Sequence, residues 1–182
     1  MSTLDILLLQ DQTEPRAKGA SEADIQLLLA FSKKFYQTVL NEIDPKTRKM
    51  KLQTLYDELS PTEAVVHKQW NERIGTLNVN TASSDQFKTF LQLDPLEAWK
   101  QINIPVLILN GAKDAQVPAE ENVKGLLNAM TPNHSKVSHK IFPELNHMFQ
   151  TAVTGATNEY AQIEQTLAPE VLESIYLWLK QQ

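Results

Sequence analysis

Two residues in this sequence stand where a carboxylate could act on an imidazole. Asp114 lies in Leu109-Asn110-Gly111-Ala112-Lys113-Asp114-Ala115-Gln116-Val117-Pro118, and His147 lies in Phe142-Pro143-Glu144-Leu145-Asn146-His147-Met148-Phe149. Each follows a short apolar run. A carboxylate bonded to one imidazole nitrogen fixes the ring tautomer and stabilises the imidazolium, which leaves the other nitrogen to take a proton from a nucleophile. Taken singly, each residue has a plainer explanation. An Asp after Gly in a loop is ordinary turn chemistry, and most histidines are packed or solvated. Of the other histidines, His139 falls inside a strand, His67 inside a helix and His134 in a polar loop. None is part of an H-x-x-x-H pattern or an acidic cluster, so the sequence implies no metal site. Cysteine is absent. That excludes disulfides, thiolate ligands and cysteine nucleophiles, and leaves the redox compartment open. No cofactor is implied.

The elements that must position the pair can be read from the pattern. Ile104-Pro105-Val106-Leu107-Ile108-Leu109 is a continuous, largely β-branched run ended by Asn110-Gly111, as expected of a strand buried on both faces of a parallel sheet. Pro105 is tolerable near its start. Pro118, with Glu120 and Glu121, opens a helix whose apolar face is Val123, Leu126, Leu127 and Met130. Thr131 to Lys136 is a loop and Val137 to Phe142 a second strand. A closing helix from about Pro169 to Lys180 turns Val171, Leu172, Ile175, Trp178 and Leu179 inwards. Strand, helix, strand implies a right-handed parallel crossover. Open α/β sheets carry their functional groups beyond the carboxyl ends of their strands, and neighbouring strands lie about 4.8 Å apart. The loops of Asp114 and His147 therefore emerge side by side, close together whether or not the two side chains bond.

The first hundred residues are helical in pattern. Ser21 and Asp24 have the form of a capping box. Behind them Ile25, Leu28, Leu29, Phe35, Val39, Leu40 and Ile43 recur at three- and four-residue steps. Asp44-Pro45 ends that helix and opens the next, striped by Met50, Leu52, Leu55, Tyr56 and Leu59. Ser60-Pro61-Thr62-Glu63 starts a third helix running towards Ile74. After a loop from Gly75 to Ser84, Phe87, Phe90 and Leu91 form a short helical face, and Asp94-Pro95 opens another short helix with Ala98 and Trp99. The fold class is thus α/β, with a helical segment over residues 1–100 and a two-strand β-α-β-α unit over 101–182. Trp70, Phe87, Phe90 and Trp99 are candidates for lining a pocket, although helical core contacts explain each more simply.

Charge narrows the partners. Seventeen basic and 22 acidic residues give a net charge of −5, which does not suit a nucleic-acid binder. The cluster Lys46, Arg48, Lys49 and Lys51 reads as a solvated helix face. No run reaches the roughly 18 apolar residues that cross a bilayer, so no membrane partner is implied. The run Leu4 to Leu9 carries Asp5 and follows no basic residue, unlike a signal peptide.

The motif N-G-x-x-D-x-x-V-P after a buried strand, then a short strand and N-H, resembles the C-terminal part of the α/β-hydrolase fold. The stretch from Gln150 to Pro169, with Tyr160-Ala161-Gln162-Ile163-Glu164, is similar to a bacterial subgroup of serine esterases and peptidases. The resemblance implies a partial α/β-hydrolase fold in which Asp114 is the triad acid and His147 the base, and the preceding helices form a cap. Its substrate would be a small-molecule ester, thioester or peptide. The family's order is nucleophile, acid, histidine, yet no G-x-S-x-G surrounds any of the five glycines. Nucleophile elbow and oxyanion hole would then lie upstream, and this chain alone would be inactive. The competing reading is a non-enzymatic helical interaction module on a hydrolase-derived scaffold. With the sixth strand of such a sheet missing, the Ile104 to Leu109 strand has an unpaired apolar edge, which predicts a homodimer or larger oligomer.

Overall fold

The structure is a computed structural model that describes residues 2–70, 78–130 and 136–182. The part of the third helix expected beyond Trp70, Gly75 and most of the Thr131 to Lys136 loop with His134 lie outside the described residues. The chain divides into two units, Ser2–Leu93 and Asp94–Gln182.

The first unit is built of helices α1 (Thr3–Ala17), α2 (Glu22–Asn41), α3 (Pro45–Asp57), α4 (Pro61–Trp70), α5 (Val79–Ala82) and α6 (Asp85–Leu91). Helix α1 has no counterpart in the periodicity, because its apolar residues run together as Leu4 to Leu9 and hide the 3.6-residue repeat. Its start is fixed by a reciprocal capping box between Ser2 and Asp5. The core gathers around α2, where Phe31, Phe35, Tyr36 and Val39 meet Leu7, Leu52, Phe87 and Leu91. Two residues assigned to apolar stripes are exposed instead. Ile43 follows the end of α2 and is 82% exposed, and Met50 is 56% exposed, since α3 turns Leu52 inward instead. His67 is buried against the rings of Phe31 and Tyr56, and that burial pulls its pKa down.

One expectation fails outright. Lys46, Lys49 and Lys51 are solvated, but Arg48 is fully buried. Its Nε donates to the carbonyl of Glu42, Nη1 to those of Ser83 and Ser84, and Nη2 to that of Ile43 and to Asp85, at 2.8–3.1 Å. All five guanidinium donors are therefore engaged. The carboxylate of Asp85 is largely exposed, so the four carbonyls carry the interaction. Ser84 C=O also accepts from Lys88 N–H in α6, and Glu42 C=O from Lys88 Nζ, but Ile43 and Ser83 lie in turns that offer their carbonyls no helical donor, which is why a cation is drawn inward.

The second unit opens with α7 (Pro95–Trp99), followed by β1 (Val106–Gly111), α8 (Ala119–Ala129), β2 (Val137–Phe142), a 3₁₀ segment (Thr157–Gln162) and α9 (Pro169–Leu179). Helix α7 groups with this unit and not with the helices before Asp94, because Trp99 packs on the cluster of Ile108, Val123 and Met130. The strands pair in parallel with Val106 opposite Val137 and Gly111 opposite Phe142. This agrees with the coarse expectation of a partial α/β fold. Burial on both faces of β1 does not hold within the described residues. Ile108 is buried, while Val106, Leu107 and Leu109 are only half-buried, and among the described residues β1 pairs with a strand on one side only. Leu172 and Leu179 are exposed rather than turned inward; Val171 and Ile175 pack on Phe142 and Leu145. No described helix is long and apolar enough to cross a membrane.

The Arg48 clasp yields a stability prediction. Replacing Arg48 by Met strips the Ile43 and Ser83 carbonyls of their donors, while those of Glu42 and Ser84 keep bonds from Lys88, and costs about 3 kcal/mol, read as a lower urea midpoint. Arg48→Lys recovers less than half of it, since one ammonium cannot reach all of these acceptors.

Candidate functional site

The site forms where the backbone leaving β1 meets the backbone leaving β2. Ala112 N–H donates to Phe142 C=O at 2.8 Å, and Lys113 N–H to Leu145 C=O at 3.0 Å. The approach is closest at Gly111, where a Cβ would sit 2.1 Å from the Leu145 carbonyl oxygen. Only glycine allows the two loops to run this near one another.

Asp114 is held in an Asx-type turn. Its Oδ1 accepts from the backbone N–H groups of Gln116 (2.9 Å) and Val117 (2.7 Å). The other oxygen, Oδ2, accepts from the Asn110 amide at 3.3 Å and faces Nδ1 of His147 at 3.0 Å. Asn110 is buried at the end of β1 and also donates to the carbonyl of Val117, closing the acid loop on itself. On the opposing loop, Asn146 is fully buried. Its Oδ1 accepts from Met148 N–H and Gln150 N–H, both at 2.9 Å, and its Nδ2 donates to Gln150 Oε1. That knot fixes the backbone on either side of His147. Phe149 takes a positive φ of 55° within the same turn.

Further contacts join the two loops to the segment behind them. Lys113 Nζ donates to Glu144 and, at 2.7 Å, to the carbonyl of Ala152. Gly155, at φ +80°, passes so close to the Lys113 carbonyl that a Cβ would lie 1.8 Å away. Gln116 donates to the Tyr160 hydroxyl at 2.9 Å. In the sequence Asn110 and Asn146 are only letters of the N-G-x-x-D and N-H motifs, with no role of their own, and Lys113 carries no signal.

The chemistry of the pair follows from its polarity. Asp114 is buried, with its side chain 6% exposed, while the His147 side chain is 37% exposed. The hydrogen bond that His147 donates to Asp114, aided by the carboxylate's charge, pushes the His147 pKa above the usual histidine value against the opposing effect of burial. With Nδ1–H donated to the carboxylate, Nε2 is the free nitrogen, and no described residue bonds it. The arrangement can therefore accept a proton at Nε2 and hold the resulting imidazolium.

The aromatic candidates go to different places. Trp70, half-buried, donates its indole N–H to Asp24 at 3.0 Å, and Phe87 is a core residue of the first unit. Phe90 is 44% exposed. Trp99 borders an apolar groove in the second unit. His139, in β2, is exposed.

In comparisons with known proteins, the model of the prolyl oligopeptidase family matches residues 54–168, a span that holds both Asp114 and His147. No curated protein and no solved structure matches.

Two outcomes follow from this geometry. Because the folded His147 pKa is raised, its protonation stabilises the fold below the unfolded value near 6.5, and that contribution is lost as pH rises through the folded pKa. Denaturant melts of the chain should show the loss on going from about pH 6 to pH 8, and His147→Gln should flatten it. Gly111→Ala forces the two loops apart. NMR titration of that variant should return the His147 pKa towards the ordinary histidine value.

Proposed function

This chain belongs to the prolyl oligopeptidase family, of the α/β-hydrolase type, and on that footing we propose that it is the acid- and histidine-bearing part of a serine hydrolase cleaving peptide or ester bonds. The observation that carries the reading is the Nδ1 to Oδ2 contact of 3.0 Å between His147 and the buried Asp114, on the loops that follow two parallel strands. In the acylation step His147 Nε2 takes the proton from a serine hydroxyl as it attacks the scissile carbonyl, then passes it to the leaving group. In deacylation the same nitrogen takes a proton from the attacking water and returns it to the departing serine oxygen, which regenerates the neutral imidazole. Asp114 does not change protonation; it holds the tautomer and stabilises the imidazolium.

Serine and oxyanion donors come, in this reading, from residues outside these 182, since none of the nine serines sits in a G-x-S-x-G. The helical unit before Asp94 would serve as a cap over the substrate. Removing nucleophile and oxyanion donors takes away the largest contributions to acyl transfer.

Joining the chain to the sequence encoded in frame upstream of it tests the proposal. The extended protein should carry a G-x-S-x-G, react with a fluorophosphonate and hydrolyse a nitrophenyl ester. His147→Ala should lower kcat by about 10³-fold or more, and Asp114→Asn by a comparable factor. The 182-residue chain should show neither labelling nor turnover. An upstream sequence without such an elbow, or full activity in both variants, overturns the reading.

A further inference from the structure

The loop that carries His147 is closed by a single residue. Asn146 is fully buried, and all of its polar groups bond to residues 148–150. Its backbone N–H donates to the Gln150 carbonyl, and its own carbonyl accepts from Phe149 N–H, both at 3.0 Å. Its Oδ1 accepts from the N–H groups of Met148 and Gln150, both at 2.9 Å. Enclosed with His147 is Phe149, whose φ of 55° is a conformation that bulky residues rarely take. Such a conformation persists only where the surroundings over-determine it.

The amides beyond Oδ1 have a single allowed order. Two backbone N–H groups fix which atom of the Asn146 amide is the oxygen, since a backbone donor cannot be reversed. Nδ2 therefore faces Gln150 and donates to its Oε1 at 3.1 Å. Gln150 Nε2 is left to donate to the Gln165 carbonyl at 2.9 Å, another main-chain group. Backbone donors at one end and a backbone acceptor at the other thus orient both amides. Neither can flip without setting donor against donor or acceptor against acceptor, which is costly at buried positions.

We propose that Asn146 is the positioning residue of His147 and that Gln150 supports it. The relay from Asn146 through Gln150 to the Gln165 carbonyl holds the loop so that Nδ1 meets Asp114 and Nε2 stays open for the proton. Asn146 makes no bond to the imidazole and acts on it only through the backbone. Its effect on turnover rests on the serine-hydrolase reading; its effect on the imidazole tautomer does not.

The need for such a device follows from how little else restrains the ring. Among the described residues the imidazole has one hydrogen bond, to Asp114, and its side chain is 37% exposed. Its aim therefore depends on where the loop places the backbone of residue 147. Asp114 is anchored separately, by the N–H groups of Gln116 and Val117 and by the Asn110 amide. It would not follow a displaced histidine. A loosened loop opens the Nδ1 to Oδ2 contact, and the neutral ring then loses its preference for the Nδ1–H form.

The experiment is NMR of the 182-residue chain, isotope-labelled at the histidine nitrogens and held near about pH 9, where the ring is neutral. The expected result is an Nδ1–H imidazole at His147 in the unsubstituted chain and the mixed tautomers of a free ring in Asn146→Ala. Gln150→Met, which keeps the Oδ1 bonds and most of the volume, should give an intermediate population, and it decides the matter if Asn146→Ala does not fold. Val123→Ala, in the core on α8, should lower the urea midpoint and leave the tautomer unchanged, which separates positioning from general stability. In the protein extended upstream, Asn146→Ala should lower kcat by about 100-fold and Gln150→Met by about tenfold, with KM within about twofold. An Nδ1–H ring retained in both relay variants, or lost equally in Val123→Ala, overturns the proposal, as does an unchanged kcat in both relay variants. An extended protein with no turnover before any substitution defeats the serine-hydrolase reading alone, and the tautomer then decides whether the relay holds His147.

Discussion

The Asp114–His147 pair exists because two backbones pass almost in contact beyond the carboxyl ends of β1 and β2. Parallel pairing brings the strand ends level, Gly111 opposite Phe142, and two further backbone bonds carry the alignment past the sheet into the loops. A side chain at position 111 would collide with main chain, not with a movable group. The register of a two-stranded sheet is weakly specified by itself, since such a sheet is marginal in water. Here the loops help to hold the strands in register as much as the strands position the loops.

Around that contact, the buried polar groups account for one another. Asn110 and Asn146 lie at matching places, one at the strand end before the acid and one just before the histidine, and each folds its own loop through side-chain bonds to main chain. Asparagine suits both positions because it donates and accepts at once. Lys113 joins the two loops to the segment carrying Ala152, and Gly155 gives that segment room to approach. The imidazole is thus the least constrained member, with one nitrogen committed to Asp114 and the other open. A general base requires that asymmetry.

The helical unit is governed by a different constraint. Its core is aromatic and built on α2, but the turns around Glu42–Ile43 and Ser83–Ser84 leave carbonyls facing inward. Arg48 satisfies them with a planar fork of donors. A buried cation with no carboxylate of comparable burial is unusual, and it is stable here because peptide dipoles replace its hydration.

The sequence by itself determined the pair and most of the elements, with helix α1 and the short α5, which falls where a loop was expected, as the exceptions. Capping residues at Ser21, Asp44 and Ser60 start the helices where local chemistry requires. The β-branched run and its return in Val137 to Phe142 define the strands, and their order puts Asp114 and His147 on adjacent loops. These are local or topological facts, set by periodicity and by the handedness of the crossover. Long-range packing decided the rest. A stripe does not say which of its members points at a neighbour, so Ile43, Met50, Leu172 and Leu179 remained exposed. A charge pattern does not reveal inward-facing carbonyls thirty-five residues away, so Arg48 looked like one more solvated cation. The bond from His147 to Asp114, as against mere proximity, likewise depended on the tertiary structure. It required the glycine contact and two asparagine knots to act together, and none of these is visible in the spacing of the two residues.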